Sequence, residues 1–539
     1  MQVIPQRLLE SCEMMNRIKV YVNFNNDTDF VEFSRGVIIN GNSSIDPIKL
    51  KIQNVEEIES YLSNIKGSFS CLLCKDEKLF MAVDIIRSYP IYYTILQDKI
   101  LVSDNANKIA SFERLSIDVN NENEIRRCSY VTQDQTLFKD VFQICAGEYL
   151  VVSLDNAKRI NGHYYDYTIR KSDDRFNIDK TINRFEQCLS DVFLDLIDRN
   201  INKTFVIPLS GGCDSRTVAV MFKKLQYENV ICFSYGKKNN TESLRSEAIA
   251  KALGYKWIFV EYSEKVWSDI FSSDMLNDYL YSTCLGDGIG CVQALPAILF
   301  LKKNRLIPDD SVIVPGHAMD FLAGNRMKKH NEYDSYKKAD LINYILKIHY
   351  SLDSKRRNVK KAIIKWTNTI PESLDGTEFN SIYQKWEWKN RQSKFTVNDV
   401  RTYEYAGFRW EIPLWDIRIV DFWKSIPEKE LFGRKFQYCY TERNIDPVAG
   451  MAIDYFPQRK NSRIKQLIKR CVPFLDSINV NQTVIYKLLN HRSNGNAFYD
   501  HLKSYEYYYS VIKYGGGFNI NTIVISYYLK MIRGRKGKK

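Results

Sequence analysis

The chain has 539 residues and a formal charge of +13, with 45% hydrophobic and 26% charged residues, the composition of an ordinary soluble globular protein. At about 150 residues per domain this length is too great for one core and predicts two to four domains, two of them large. Met1-Gln2-Val3-Ile4-Pro5-Gln6-Arg7 has no basic segment leading into an apolar core, so no secretory signal is recognised and a cytoplasmic protein is expected.

In chain order, the first part is rich in short strand-like runs: Arg17 to Val22, Leu79 to Val83 and Gly147 to Val152. Cys71 and Cys74 form the chain's C-x-x-C pair, in a run that reads as a strand. Residues three apart on a strand point to opposite faces, which argues against a metal or redox pair. The other cysteines of the 12 show no repeating spacing and are expected to be reduced and inert. A polar segment, Arg170 to Arg175, reads as a linker. After it Ile182, Phe185, Leu189, Val192, Phe193, Leu196 and Ile197 recur at helical spacing and predict one amphipathic helix.

Beyond that helix the pattern alternates. Strand Thr204–Leu209, a helix from about Ser215, strand Val230–Ser234, helix Ser243–Leu253 and strand Trp257–Tyr262 predict parallel strands with crossover helices. The apolar stretch Cys291 to Leu301 falls well short of the roughly 20 residues that cross a bilayer and reads as a buried helix. A further strand, Ser311 to Val314, runs into Pro315-Gly316-His317-Ala318-Met319-Asp320. From about Met327 onward the sequence is helix-like and charged, and the aromatic run Tyr505 to Tyr509 is expected to pack. The basic residues gather late, at Arg459, Lys460, Arg463, Lys465, Lys469 and Arg470, then Lys530, Arg533, Arg535, Lys536, Lys538 and Lys539. A solvated, frayed tail, contact with an anionic membrane surface or phosphorylated substrate, and RNA binding are the three readings of that charge. RNA has the least support, because no recognisable RNA-binding module accompanies it.

The run Pro208-Leu209-Ser210-Gly211-Gly212-Cys213-Asp214-Ser215 carries the most chemistry. Two glycines allow backbone N–H groups to approach an anion, two serines add hydroxyls, and a helix N-terminus follows. A carboxylate beside phosphates is repulsive unless a divalent cation lies between them, so Asp214 points to ATP with Mg2+. The sequence contains no G-x-x-x-x-G-K-[ST] loop. In a doubly wound sheet ligands bind at the carboxyl ends of the strands, so Asp214 and Asp320 are expected on one edge, where two carboxylates can share one magnesium.

Ser-Gly-Gly-x-Asp-Ser resembles the signature of the ATP-pyrophosphatase (PP-loop) superfamily, in which ATP is split between its α and β phosphates. The order of motifs resembles asparagine synthetase and its β-lactam synthetase relatives over nearly the whole chain. Asp84-Ile85-Ile86-Arg87-Ser88-Tyr89-Pro90-Ile91-Tyr92-Tyr93 is similar to the family's Asp-Arg-x-Gly-x-x-Pro-Leu-Tyr-Tyr, and Leu101-Val102-Ser103-Asp104 to its Ala-Ser-Glu element. Gly316 to Phe321 is similar to Gly-Glu-Gly-Ser-Asp-Glu, and Glu411 to Asp416 to Arg-x-Pro-Phe-Leu-Asp. The resemblance implies an α/β protein in three parts. Residues 1–175 form an N-terminal-nucleophile (Ntn) hydrolase-like α+β sandwich, residues 176–450 a doubly wound parallel-sheet ATP-pyrophosphatase domain, and residues 451–539 a helical basic region packed on it. The glutaminase chemistry is expected to be lost, because position 2 is Gln2 where the family has a cysteine whose own α-amino group is its base, and Cys12 lies too far in.

The resemblance further implies ATP and Mg2+ as cofactors. Ser210, Gly211, Gly212, Asp214 and Ser215 would bind the nucleotide, Ser234 would lie near adenine, and Asp214 and Asp320 would hold the metal. His317 stands where β-lactam synthetase has a proton-abstracting tyrosine; it acts as that base or only hydrogen-bonds a phosphate or carbonyl. Lys435 fits the late lysine that stabilises the adenylation and acyl-transfer transition states, with Arg434 adjacent and a surface role open. His317 and Phe321 replace family glutamates and so argue against aspartate as the acid. The expected function is an AMP-forming amide ligase that adenylates a small-molecule carboxylate and transfers ammonia or an amine to it. Gly316 to Gly324 resembles the turn of relatives associated with bacterial surface polysaccharides, which suggests a sugar-linked acid. An ammonia-dependent asparagine synthetase and a non-catalytic or RNA-associated protein are the alternatives.

Overall fold

The computed structural model describes residues 18–24, 29–42, 54–171, 175–331, 333–352, 366–451 and 520–536. Gln2, Cys12, Ser172 to Asp174 of the Arg170–Arg175 linker, Arg459 to Arg470, Tyr505 to Tyr509, Lys538 and Lys539 lie outside these.

Two five-stranded sheets make the first domain. One contains β1 (Lys19–Asn23), β2 (Val31–Glu32), β6 (Tyr92–Ile95), β7 (Lys99–Ser103) and β8 (Phe142–Gln143), in the order β2-β1-β7-β6-β8. The other contains β3 (Gly36–Gly41), β4 (Phe69–Lys75), β5 (Lys78–Val83), β9 (Glu148–Ser153) and β10 (Arg159–His163), in the order β10-β9-β5-β4-β3. Alternation along the strands sends Val20, Ile100 and Val102 from one sheet and Leu72, Cys74, Met81 and Val152 from the other into a shared core. The opposite faces, with Cys71, Phe80, Tyr92 and Leu101, pack with α1 (Val55–Ser63) and α2 (Ala106–Phe112) in a second core. The domain is thus the helix-flanked Ntn-hydrolase-like sandwich. Cys71 and Cys74 fall in different cores, as strand geometry requires, and both are buried.

The predicted amphipathic helix is α4 (Ile178–Arg199), which follows α3 (Val119–Cys128). Asn177 caps its start by accepting from the Lys180 N–H at 2.9 Å, and Ile182, Phe185, Leu189, Val192, Phe193 and Leu196 are its buried face. A fully parallel sheet follows: β11 (Phe205–Pro208), β12 (Val230–Gly236), β13 (Lys256–Glu261), β14 (Val312–Ile313) and a last strand, Arg409–Trp410. The order β13-β12-β11-β14-Arg409–Trp410 reverses direction between β11 and β14. Crossovers run through α5 (Cys213–Lys224) and α6 (Thr241–Leu253). The buried helix Leu295–Lys303 bears out the reading of the Cys291–Leu301 stretch. No described helix is long and apolar enough to cross a membrane.

The Asp84–Tyr93 motif is the hinge pin between the two domains. Asp84 accepts the N–H groups of Phe69 (2.9 Å), Ile86 (2.8 Å) and Ser88, which fixes a tight turn in which Arg87 takes φ +59°. Arg87 stands at the position of the family's glycine, and this is backbone territory that glycine occupies most easily. Its guanidinium crosses into the second domain, 2.6 Å from Asp287, and donates to the Ser393 carbonyl at 3.1 Å. Tyr92 donates to Asp287 at 2.5 Å, and the Trp388 indole donates to the Ile85 carbonyl at 2.7 Å.

The end of the chain departs from the frayed basic tail. Ile520–Lys536 is a helix whose Ile523, Val524, Ile525, Tyr528 and Leu529 are buried. Tyr528 donates to Asn107 at 2.6 Å and Arg533 pairs with Glu122 at 2.7 Å, so here a basic residue is spent on an internal ion pair with the first domain. Its apolar face outweighs the solvation of its cations, a face hidden in sequence by the neighbouring charge.

Breaking the Arg87–Asp287 pair from one side leaves a charge buried without its partner. Arg87→Met is therefore expected to lower unfolding free energy by about 3–5 kcal/mol in urea titration, and adding Asp287→Leu to recover part of that loss.

Candidate functional site

Both loops singled out in the sequence leave the sheet at its carboxyl edge beside the reversal in strand order, where a doubly wound sheet opens a crevice. After β11 the chain turns through Ser210-Gly211-Gly212 into α5. Gly212 is the N-cap, and with no side chain of its own the turn is closed by serines. The Ser210 N–H donates to Ser215 Oγ at 3.1 Å, and the Gly212 N–H to Ser210 Oγ at 3.2 Å. A Cβ on Gly211 would lie 2.8 Å from Arg245 Cδ, so the α6 arginine side chain crosses directly over the loop.

The second loop meets the first almost backbone to backbone. A Cβ on Gly316 would lie 2.4 Å from the Ser215 nitrogen, so only glycine allows this approach. Ala318 follows at φ +106°, ψ −44°, a strained conformation for a residue with a side chain, worth about 1–3 kcal/mol. That turn aims the Asp320 N–H at Asp214 Oδ2, 3.1 Å away. Asp214 also accepts from Gln437 Nε2 at 2.8 Å. Burial, and then the charge of Asp320, push the Asp214 carboxyl up to about 7, as happens when two acids face one another without a cation between them.

Arg434 donates to Asp320 and to the Tyr438 hydroxyl. Gly433 (φ +66°) and Arg434 (φ +62°) are both left-handed, and this turn brings the guanidinium back over the acid. Lys435 points elsewhere: its ammonium lies 2.7 Å from Glu430 and is 65% exposed. The structure therefore gathers Ser210, Gly211, Gly212, Asp214, Ser215 and Asp320 at one point and sets Arg434, in place of Lys435, beside them.

His317 sits next to Gly316 with its Nε2 3.9 Å from Asp399 Oδ2. Burial pushes the imidazole down to about 4 and Asp399 up to about 7, so both favour their uncharged forms. A neutral imidazole near pH 7 can accept a proton, and Asp399 faces it from 3.9 Å. Three buried polar atoms here have no protein partner: Ser234 Oγ at the end of β12, His317 Nδ1 and Gln437 Oε1. Unpaired buried polar atoms are costly to keep, and their arrangement fits a polar ligand along this edge.

For magnesium the donors fit in kind: Asp214 and Asp320 would offer two hard carboxylates from two strand ends beside a phosphate-type loop. Among the described residues no group of three or more His, Cys, Asp or Glu side chains forms a ready-made metal cage. Any cation there would be held jointly with a ligand.

Phe321 does not face this edge. It stacks on Trp415 (5.8 Å) and packs against Tyr167 (5.2 Å) between the domains, because the short helix Met319–Leu322 turns its side chain about 100° from that of Asp320. Its replacement of a family glutamate thus changes interdomain packing, and the case against aspartate that rested on it is withdrawn. Glu411 likewise lies away from the loops, accepting from Asn42 and buried beside Arg199. Asp399, Gln437 and Arg434 were not singled out as site residues by sequence. Only Arg434 had a signal, its position next to Lys435.

Residues 204–280 match the family model described as QueC, queuosine biosynthesis protein QueC. No curated protein matches the chain. Among solved structures, NH3-dependent NAD synthetase from Campylobacter jejuni superposes at TM-score 0.21 with 14% identity, over 40% of this chain and 96% of that one. NMN synthetase from Francisella tularensis gives 0.19 and 11%, over 48% and 96%. Glutamine phosphoribosylpyrophosphate amidotransferase from B. subtilis gives 0.18 and 10%, over 52% and 62%. Scores of this size carry no argument about fold. The sheet order, the Ser210–Ser215 loop and the match over 204–280 agree with a doubly wound domain of the PP-loop kind.

Because a methyl group at position 316 must displace Ser215, Gly316→Ala is expected to weaken binding of the ATP analogue AMPCPP with magnesium by about tenfold or more, about 1.4 kcal/mol, with an unchanged far-UV circular dichroism spectrum. Calorimetric titration measures it.

Proposed function

We propose that this chain is an AMP-forming, ATP-dependent amide ligase. The single observation that carries this reading is the meeting of Asp214 and Asp320, delivered from two different strand ends onto one glycine–serine loop by the side-chain-free contact at Gly316. Burial, and then the charge of Asp320, push the Asp214 carboxyl up, and a divalent cation with polyphosphate is the ligand that offsets both.

In this reading Ser210, Gly211, Gly212 and Ser215 cradle the pyrophosphate of ATP, Arg245 covers it from α6, and Ser234 lies toward adenine. The substrate carboxylate attacks the α-phosphorus, pyrophosphate leaves, and ammonia or an amine attacks the acyl-adenylate carbonyl, with AMP as the second leaving group. His317 takes the proton from the attacking nitrogen. Magnesium, held by Asp214 and Asp320, would supply charge neutralisation on the pyrophosphate. The cation acting beside it is Arg434, with Lys435 in the outward ion pair seen with Glu430. The resemblance of Gly316 to Gly324 to a turn of polysaccharide-associated relatives supports a sugar-linked acid.

Pyrophosphate release measured with ATP, magnesium, ammonium and a broad carboxylate panel tests this. Asp214→Asn is expected to cost about 10²–10³ in rate, the scale for removing a preorganised charge at a reacting centre; full activity in that variant would sink the proposal. Arg434→Met is expected to lose about a hundredfold in kcat/KM and Lys435→Met about threefold or less, and the reverse order would return the role to Lys435.

A further inference from the structure

Behind the reacting edge lies a buried polar cluster that the adenylation chemistry does not use. Glu387, at the end of the helix Gly376–Glu387, is 2% exposed and faces two guanidiniums. Arg326 Nη1 is 2.7 Å and Arg391 Nη1 3.5 Å from its Oε1, while Gln392 donates to the same oxygen at 3.0 Å and Tyr383 to Oε2 at 3.0 Å. Burial opposes ionisation of Glu387, but the two arginines and the Tyr383 hydrogen bond are among the neighbours that outweigh it and lower its carboxyl, so it carries one negative charge.

One negative charge against two guanidiniums leaves a surplus of one positive. The surplus is felt: burial, and next the charge of Arg326, lower Arg391. His349 and Glu124 do not cancel it. His349 accepts or donates at Tyr383 (3.1 Å), and burial holds its imidazole neutral by pushing it down to about 4. Glu124, the next acid in this layer, is engaged by Thr132 (2.8 Å) and Tyr350 (2.7 Å), and burial raises its carboxyl.

Two further observations point to a ligand. The Tyr130 hydroxyl, from the first domain, is buried without a partner and feels the charges of both Arg391 and Glu387. The arginines are within reach of solvent, Arg326 at 35% and Arg391 at 23% side-chain exposure. Arg391 is turned inward by the π-helical segment Trp388–Thr396, whose wide turn is characteristic of functional positions. Position ties the cluster to the site: Arg326 is six residues beyond Asp320, and Gln384, on the helix that ends at Glu387, donates to the Phe321 carbonyl next to Asp320 at 3.4 Å.

We propose that Arg326, Arg391 and Tyr130 hold a second anionic group, a carboxylate or a phosphate monoester, of the acid whose other carboxylate is activated at the Ser210–Ser215 loop. Forked guanidinium donors match the paired oxygens of either anion. The location rests on the amide-ligase reading; the anion site itself is tested without turnover. The full chain is titrated calorimetrically with succinate, 2-phosphoglycolate and butyrate, with and without saturating AMPCPP and magnesium. Succinate or 2-phosphoglycolate is expected to bind at least about tenfold more tightly than butyrate, and which of the two does so separates carboxylate from phosphate. Arg391→Gln and Arg326→Gln should each remove that preference, Arg391→Lys should restore part of it, and AMPCPP affinity should stay within about twofold. Tyr130→Phe, which deletes only a hydroxyl, repeats the test if an arginine variant does not fold. Equal or undetectable binding of all three probes to the parent chain, or a preference kept by the variants, overturns the anion site. Failure of AMPCPP to bind overturns the adenylation reading alone, since the nucleotide-free titration still reads the arginines.

Discussion

The candidate site depends on one contact, the approach of Gly316 to the first turn of α5. Parallel strands β11 and β14 stand side by side with their helices diverging, and this opens the crevice but does not bring its two walls into touch. A loop without a side chain closes that gap, and the strained Ala318 converts closeness into direction by aiming the Asp320 N–H at Asp214. The strain is tolerated because packing on both sides over-determines the loop: Ala318, Met319 and Leu322 are buried in the main core. Ordering these groups before any ligand arrives reduces the reorganisation left for the reaction.

The two domains are coupled just as firmly, though by different physics. The Asp84–Tyr93 turn carries a buried cation across the interface to Asp287, Tyr89 stacks on Trp410 of the last parallel strand at 5.0 Å, and the helix Ile520–Lys536 bridges both domains. A buried ion pair is an indifferent source of stability but a good device for register, because a shifted interface would leave both charges unpaired. A first domain kept only as scaffold would still need such a device, since Tyr130, the Arg87 turn and the Tyr167 packing on Phe321 all reach the second domain from it.

What was legible in the sequence was what is local. The Ser210–Ser215 loop, the alternation from β11 to β13 and the buried face of α4 follow from short-range chemistry and periodicity, and the structure reproduces them. The two-residue strand Arg409–Trp410 was missed because so short a pairing leaves no period to detect. Asp399 and Gln437 come from a 3-10 segment and a short helix far along the chain, and each acquires its role only through what it faces. Phe321 shows the opposite error. Its place in a family motif suggested a side chain in the site, whereas the turn of a four-residue helix sends it into the interdomain core.

The same reasoning explains why the arginine cluster left no mark on the sequence. Arg326, Glu387 and Arg391 are spread over 66 positions among many exposed cations, and in a chain of charge +13 an arginine is unremarkable until its surroundings are known. Burial makes the difference, because at low dielectric an uncompensated guanidinium is felt by every neighbour, whereas at the surface water would screen it. A single carboxylate placed between two arginines holds both in position without neutralising both. That leaves one guanidinium charge oriented but not neutralised. An acid bound there by one end would present its other end to the α-phosphorus with little freedom to lose, so the selection of the acid and the positioning of its carboxylate would draw on the same two guanidiniums.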